Sequence, residues 1–267
     1  MRRRFNPIFC LVALLAMLVP FTVTAQDAME QPLVGAWETC AAPTALPETV
    51  TIGAVFGLSE AVAVYGVSQQ NAVQLAVDEI NNSKYLGDAT TLNVIFEDSA
   101  GKPDQAIAAM TKLVDEDQVT AVLGPTLSSE AFAADPVAQE AGTVVMGVSN
   151  TATGITDMGD FVFRNSLPEA AVIPGTIAQA TEALGLQTAA ILYGNDDDFT
   201  VSGYNVFKEA LEANGIEVTG EETFAKGDQD FNAQLTNLID SQPDALVVSA
   251  LAAEATQIII QACALGY

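Results

Sequence analysis

Two turns rich in hydroxyl side chains contain the residues of this chain that are best suited to binding a ligand. One contains Thr126, Ser128 and Ser129, the other contains Ser149 and Thr151, and each follows a short apolar run. If the runs are parallel strands, their carboxyl ends meet at one sheet edge, where open α/β sheets hold ligands. Backbone N–H groups at the start of a following helix favour an anion such as a carboxylate there. A structural alternative stays open, in which these side chains only cap helices.

The residues required for several common chemistries are missing. The chain contains no histidine, which excludes Ser-His-Asp catalysis, Cys-His catalysis and histidine-based metal sites. It also has no phosphate-binding loop and no dinucleotide fingerprint. Aspartate and glutamate are plentiful, but no spacing singles out a catalytic pair. We therefore predict a binding protein that is not an enzyme and has neither cofactor nor metal.

Net charge and the first residues indicate where the protein works. The formal net charge is −25, and such a surface repels phosphates, which argues against nucleic acid as a partner. Three arginines at residues 2–4 precede an apolar stretch, and small residues suited to cleavage end at Ala25. We predict a signal peptide over residues 1–25 and an extracytoplasmic location after its cleavage near Ala25. An uncleaved anchor is the alternative.

Strand-like and helix-like segments alternate through the rest of the chain. Residues 26–48 are predicted to form a tether, followed by a first lobe over 49–165 and a second lobe over 166–267. Strands are predicted at 50–56, 92–97, 119–124, 143–148, 189–193, 216–222 and 245–250, with amphipathic helices between most of them. The alternation predicts an α/β fold of two Rossmann-like lobes with parallel sheets. Only three strands are evident in the second lobe, which is therefore expected to be incomplete.

The densest acidic cluster runs from Asn195 to Phe199. We interpret it as a strand-to-helix turn whose carboxylates cap the next helix. Cation binding is the alternative, although the spacing lacks the glycine and the final glutamate of a calcium loop.

Two cysteines, Cys40 and Cys263, follow the predicted leader. An oxidising compartment permits a disulfide between them, and only geometry decides whether they pair. Neither cysteine is a promising nucleophile, because the chain has no histidine to activate it.

The order of these segments resembles the leucine/isoleucine/valine-binding protein family, the type I substrate-binding proteins of ABC importers. The resemblance runs from about Val50 to Tyr267 and rests on five stretches taken together. These are Tyr65-Gly66 with residues 71–81; Glu97-Asp98 with Pro103, Gln105 and Ala106; residues 124–129; residues 149–151; and residues 227–231. It implies the type I periplasmic-binding-protein fold, truncated here at the C-terminus.

The same resemblance implies a binding site between the lobes. Ser128, Ser149, Asn150 and Thr151 match positions that hold the α-carboxylate of an amino acid. Tyr65 matches a position that lines the side-chain pocket, although packing between a loop and a helix is its structural alternative.

Two second-lobe positions depart from the family pattern. Phe199 and Leu251 match positions that are often tyrosine, so the ligand is expected to be more apolar, or not an α-amino acid. The family's acidic partner for the ligand ammonium matches a position beyond Tyr267.

The predicted function is that of an extracytoplasmic solute-binding protein of an ABC importer. It would bind a branched-chain or related amino acid by hinge closure and deliver it to a membrane permease. Two alternatives stay open: a ligand-sensing module for a signalling partner, and binding of a non-amino-acid small carboxylate or amide.

Overall fold

The computed structural model describes residues 46–267, and the structural statements below concern that part of the chain. The predicted signal peptide over 1–25 and nearly all of the predicted tether over 26–48 lie outside the described residues. Cys40 lies outside them too, so its pairing with Cys263 stays open; Cys263 is itself exposed.

Parallel strands and covering helices alternate along the described chain. The strands are β1 (Thr49–Phe56), β2 (Thr91–Asp98), β3 (Ala121–Leu123), β4 (Val144–Gly147), β5 (Val162–Arg164), β6 (Thr188–Gly194), β7 (Glu217–Phe224) and β8 (Ala245–Ser249). The helices are α1 (Ala63–Asn82), α2 (Pro103–Thr111), α3 (Ser128–Ala141), α4 (Glu169–Leu184), α5 (Asp198–Ala213), α6 (Asn232–Asp240) and α7 (Ala252–Ala264). Shorter helical turns lie at Glu60–Val62, Lys112–Glu116 and Ile155–Met158.

The strands form two sheets whose pairings are all parallel. The first has the order β2-β1-β3-β4-β5 and the second has the order β7-β6-β8. The predicted α/β class with two parallel sheets is therefore confirmed. We call the parts of the chain built on the two sheets the first and second lobes; the domain boundaries at 49–165 and 166–267 stay predictions.

Strand β6 shows why the second sheet is covered on both faces. Its residues Ala189 to Leu192 are fully buried, and successive side chains of a strand point to opposite faces. Ile191 packs in a core with Ile177 of α4 and Leu211 of α5. Leu192 packs in a separate core with helices α6 and α7. A strand buried on both faces is a continuous apolar run, which is the pattern of this sequence.

The first lobe is built around the end of β1, where residues 54–56 are fully buried. Helix α3 contributes Ala131, Ala134 and Ala138 to the same core at helical spacing. Small side chains on that face allow α3 to lie close to α2 and to the sheet. Its start is thereby fixed beside the carboxyl end of β3.

The start of α5 differs from the sequence prediction. The apolar periodicity of the sequence predicts a helix over 203–214, whereas the helix begins at Asp198. The carboxylate of Asp197 accepts a hydrogen bond from the N–H of Phe199 at 3.0 Å and caps the helix. The capping role predicted for the acidic cluster is confirmed. The first turn of the helix has no apolar periodicity, so the sequence does not identify it as helical.

Within residues 46–267, none of the helices is long and apolar enough to cross a membrane. The same residues contain no group of three or more cysteine, aspartate or glutamate side chains that is placed to hold a metal ion.

Candidate functional site

A cavity of about 120 Å³ lies between the carboxyl ends of the two sheets. The lining residues are Tyr65, Thr126, Leu127, Ser128, Ser149, Phe199, Ala250 and Leu251. The structure thus brings together Tyr65, Ser128, Ser149, Phe199 and Leu251 of the predicted set. Leu127 and Ala250 are lining residues that the sequence did not single out, and Thr126 was noted only as part of its hydroxyl-rich turn.

Tyr65 reaches the cavity because the first turn of α1 lies directly on the loop after β1. A Cβ at Gly66 would collide with the carbonyl oxygen of Gly57, so only glycine permits this approach. The Tyr65 hydroxyl accepts a hydrogen bond from the N–H of Ala252 at 2.7 Å, which joins the two lobes. Burial, together with the charge of Glu254, raises the pKa of Tyr65 against the lowering effect of that bond. The phenol therefore keeps a proton that it can donate.

Gln69 of α1 links the two hydroxyl-rich turns. Its Nε2 donates to Ser149 Oγ at 2.8 Å, and its Oε1 accepts from Thr126 Oγ1 at 2.7 Å. Ser149 Oγ in turn donates to the carbonyl oxygen of Thr126 at 2.6 Å. The protons of both hydroxyls are therefore used within the protein, and these two side chains shape the cavity wall more than they offer donors.

Ser128 has the opposite arrangement. Its Oγ accepts from the N–H groups of Thr151 at 3.1 Å and Ala152 at 3.2 Å. No acceptor among residues 46–267 takes its hydroxyl proton, which remains free for a ligand oxygen. The first N–H groups of a helix also have no partner inside that helix. Since Ser128 begins α3, hydroxyl and backbone donors coincide at this point of the cavity.

Glu130 holds the start of α3 in place. It is fully buried, and its Oε2 accepts from the N–H of Leu127 at 2.8 Å. Burial raises the pKa of the Glu130 carboxyl, while hydrogen bonds and Lys226 oppose the rise. The N–H of Leu127 is thus occupied by the protein, and those of Ser128 and Ser129 have no intrahelical partner.

Asn150 and Thr151 do not line the cavity. The Asn150 side chain is buried, and its Nδ2 donates to the carbonyl oxygen of Pro125 at 3.1 Å. It therefore fixes one turn against the other. The Thr151 hydroxyl is buried as well and has no hydrogen-bond partner within the described protein. The predicted carboxylate role fits the position of Ser128 better than that of Asn150.

Several contacts outside the cavity also join the lobes. Ser129 Oγ donates to Asp197 Oδ2 at 3.2 Å, and Lys226 Nζ lies 3.5 Å from the same carboxylate oxygen. Lys226 also donates to the carbonyl oxygen of Gly101 at 3.2 Å. Together these contacts form an interlobe latch, which we define as Ser129, Asp197, Lys226 and Gly101. The described lobes are thus in a closed arrangement.

Phe199 and Leu251 form the second lobe's wall of the cavity together with Ala250. All three side chains are apolar, so hydrogen bonding to a ligand from this wall depends on backbone groups. The cavity is polar on the first lobe and apolar on the second. Such a division suits a ligand with one charged end and one hydrocarbon end.

The chain has recognisable relatives among known proteins. A family model described as periplasmic binding protein matches residues 49–267. The Leu/Ile/Val-binding protein BraC3 of Rhizobium johnstonii is 30% identical over 198 residues, which cover 73% of this chain and 53% of the relative.

Solved structures show the same likeness. The branched-chain amino acid transporter substrate-binding protein LivJ of Streptococcus pneumoniae, solved with isoleucine, is 32% identical with a TM-score of 0.75. The match covers 82% of this chain and 62% of that protein. A solute-binding protein of an ABC transporter from Rhodopseudomonas palustris, solved with 3,4-dihydroxybenzoic acid, shares the fold at 23% identity and a TM-score of 0.73, covering 82% of this chain and 59% of that one. The chain spans about half the length of the curated relatives it matches.

Proposed function

Because the chain belongs to the periplasmic binding protein family, in the branch of the Leu/Ile/Val-binding proteins, we propose that it is the substrate-binding protein of an ABC importer. It binds a branched-chain or related amino acid between its two lobes and delivers it to a membrane permease. The protein works outside the cytoplasm after cleavage of its leader near Ala25. This function requires no chemical step.

The observation that carries the proposal is the free hydroxyl proton of Ser128 at the start of α3, directly on the cavity. A carboxylate placed there meets this hydroxyl, the N–H groups of the first helical turn and the positive end of the helix. Tyr65 provides a second hydroxyl proton on the same cavity. Hydrogen bonds from these local donors would outweigh the long-range repulsion by the protein's negative charge, which salt screens.

The apolar wall of Phe199 and Leu251 receives the hydrocarbon part of the ligand. Each buried methylene group contributes about 0.8 kcal/mol, which favours leucine, isoleucine or valine over smaller amino acids. The names of the relatives BraC3 and LivJ support the same ligand class. A carboxylate without an amino group is the second candidate, since the three side chains of this wall are apolar and do not receive one.

Closure provides the mechanism of capture. Ligand contacts from the first lobe form in the open state, and contacts from Phe199 and Leu251 are added only when the second lobe approaches. A ligand that binds the closed state more tightly than the open state shifts the population toward closure. The permease then distinguishes loaded from empty protein by the closed arrangement.

Calorimetric titration of the purified protein with leucine, isoleucine, valine and small carboxylates tests the proposal. We expect Ser128→Ala to weaken binding at least tenfold, because a charge-assisted hydrogen bond is lost. Ser83→Ala is the matched control, since that serine is exposed at the end of α1 far from these turns in the fold. Absence of binding to every compound by folded protein would reject the function.

A further inference from the structure

A second cavity lies along helix α5, where the two lobes meet. Its volume is about 490 Å³, which is larger than that of the cavity between the hydroxyl-rich turns and within the range of small-molecule sites. The two cavities share no lining residue. We call the second one the α5 groove and define it by its α5 residues, which are Asp198, Val201, Ser202, Asn205, Val206 and Glu209.

The residues that α5 contributes form one continuous wall. They are spaced three or four residues apart, so they share a face of the helix. Asp198 and Glu209 are eleven residues apart, which is close to three turns and about 16 Å along the helix axis. The groove is therefore long and narrow, with a carboxylate toward each end and Val201 and Val206 between them.

The facing wall comes mainly from the first lobe. It contains Phe132 of α3 together with Ala152 and Thr153, which follow β4. The two walls are joined where Ser202 Oγ accepts a hydrogen bond from the N–H of Thr153 at 3.2 Å. The middle of the groove is thus lined mostly by apolar side chains from both lobes, and the groove is complete in the closed arrangement.

The groove offers negative charge and no positive charge from its own lining. None of its lining residues is basic. The carboxylates of Asp198 and Glu209 are exposed, and neither makes an ion pair or a hydrogen bond within residues 46–267. Burial and then the nearby charge of Asp197 raise the pKa of Asp198. A carboxylate in such surroundings is stabilised by a positive ligand group.

One basic side chain lies behind the facing wall. Arg164 donates to the carbonyl oxygen of Ala152 at 2.8 Å and does not itself line the groove. Its charge interacts with those of Asp157 and Glu169. Glu169 directly precedes the lining residue Ala170 and is 8% exposed. These acids offset the guanidinium, so the surroundings of the groove remain negative.

We infer that the α5 groove binds a linear aliphatic polyamine. Its terminal ammonium groups pair with Asp198 and Glu209, and its methylene segments lie on the apolar side chains between them, as the stems of lysine side chains do on protein surfaces. The amide oxygen of Asn205 can accept from an inner amine. A fully extended tetraamine such as spermine matches the three helical turns in length.

Length and charge must act together in this site. A single exposed ion pair contributes little to binding. Two such pairs on one chain reinforce each other when the chain matches the distance between the sites. The inference does not depend on the proposed amino acid binding, because it uses none of the residues of that cavity.

Calorimetric titration of the purified protein with cations of different length tests the inference. The probes are spermine, 1,4-diaminobutane and hexaamminecobalt(III), which is trivalent but compact. The compact ion measures the general attraction of any polycation to a chain with a net charge of −25. Spermine is expected to bind with one-to-one stoichiometry, at least about tenfold more tightly than either of the other two probes.

Two double variants with the same change in charge locate the binding. Asp198→Asn with Glu209→Gln should remove the preference for spermine over the compact ion. Asp104→Asn with Glu212→Gln is the matched control and should keep it, since Asp104 is likewise an exposed first-turn aspartate and Glu212 is exposed on α5 outside the groove. If the first double variant does not fold, the two single variants replace it, and each should lower the preference.

Two outcomes overturn the inference: spermine binds wild type no more tightly than hexaamminecobalt(III), or the two double variants bind spermine equally. Titration with leucine separates this result from the proposed function. Protein that shows the spermine preference but binds no amino acid keeps the groove and loses the proposed function. Protein that binds leucine without a spermine preference keeps the proposed function and loses the groove.

Discussion

The hydroxyl of Ser129 donates a hydrogen bond across the cleft to the carboxylate of Asp197, at 3.2 Å. Asp197 also caps α5 and lies 3.5 Å from the ammonium of Lys226. A single buried carboxylate therefore connects the start of a first-lobe helix to the start of a second-lobe helix. Closure of the lobes is stabilised by these contacts in addition to whatever a ligand contributes.

Ser129→Ala should shift the protein toward an open arrangement. The substitution removes the cross-cleft donor and leaves the cap of α5 intact. A hydrogen bond to a charged group contributes about 1.5–3 kcal/mol, so the closed population should fall about tenfold relative to the open one. Small-angle scattering should show a larger radius of gyration, and ligand affinity should fall with the closed population. Scattering and affinity identical to those of Ser83→Ala would show that the latch does not stabilise closure.

Asp135 should make the folded protein less stable as the pH rises. It is fully buried in α3, neither carboxylate oxygen has a partner within the described protein, and burial raises its pKa to about 8. The folded state therefore holds this proton more tightly than the unfolded state, whose pKa is near 3.8. The tighter proton binding stabilises the folded state fully below about pH 4. This contribution to the free energy of unfolding falls by about 1.4 kcal/mol per pH unit up to pH 8.

Asp135→Ala should remove that contribution. Urea unfolding at pH 5 and pH 8 measures it, and the difference in unfolding free energy between variant and wild type should grow toward pH 8 in favour of the variant. Glu169 and Glu130 shift in the same direction but are common to both proteins. A variant that tracks wild type at both pH values would mean that Asp135 is paired or solvated in the native state.

Phe199→Ala should weaken binding of a branched-chain ligand. Phe199 lines the cavity and is supported by the cap at Asp197. Loss of its ring removes apolar surface that meets the ligand only in the closed state. We therefore expect the binding free energy to weaken by roughly 1–3 kcal/mol, which lowers the affinity about fivefold to 150-fold. Calorimetric titration measures this loss. Phe163→Ala, at an exposed phenylalanine of β5, should leave affinity unchanged.

Two glycines in helices should respond oppositely to alanine. At Gly66 the new Cβ would collide with the backbone of Gly57, which cannot move without disturbing β1; we expect a loss of about 3 kcal/mol or more. At Gly175 in α4 no described atom lies within 4 Å of the new Cβ, so alanine should stabilise the protein by about 0.5–1 kcal/mol. Thermal and urea unfolding of the two variants compare these effects. Equal changes in the free energy of unfolding would contradict the close contact between Gly66 and Gly57.

The sequence predicted β6 well because this strand is buried on both faces. The run predicted as 189–193 is β6 over Thr188–Gly194, and such continuous apolar segments have few alternative structures. Helix starts were less predictable. Asp197 caps α5 before any apolar period begins, so the periodicity of α5 located only its later turns.

The cavity was predicted in outline, and its hydrogen bonding was not. Ser128 and Tyr65 lie in the first turns of the helices that follow β3 and β1, so their positions near the sheet edge could be inferred from the chain order. Gln69 could not be found this way, because its partner Ser149 lies 80 residues further along the chain. Burial and long-range pairing depend on tertiary packing, which one sequence does not display.

The side-chain amide of Gln69 has two chemically different ends, and the protein uses each for a different turn. The end at Thr126 accepts a proton and the end at Ser149 donates one. A carboxylate of the same shape would offer acceptors at both ends and compete with the Thr126 carbonyl for the Ser149 proton. One nitrogen atom thus sets the direction of the Thr126 and Ser149 hydroxyls, and exchanging it for oxygen would change their hydrogen bonding without changing the shape of the side chain.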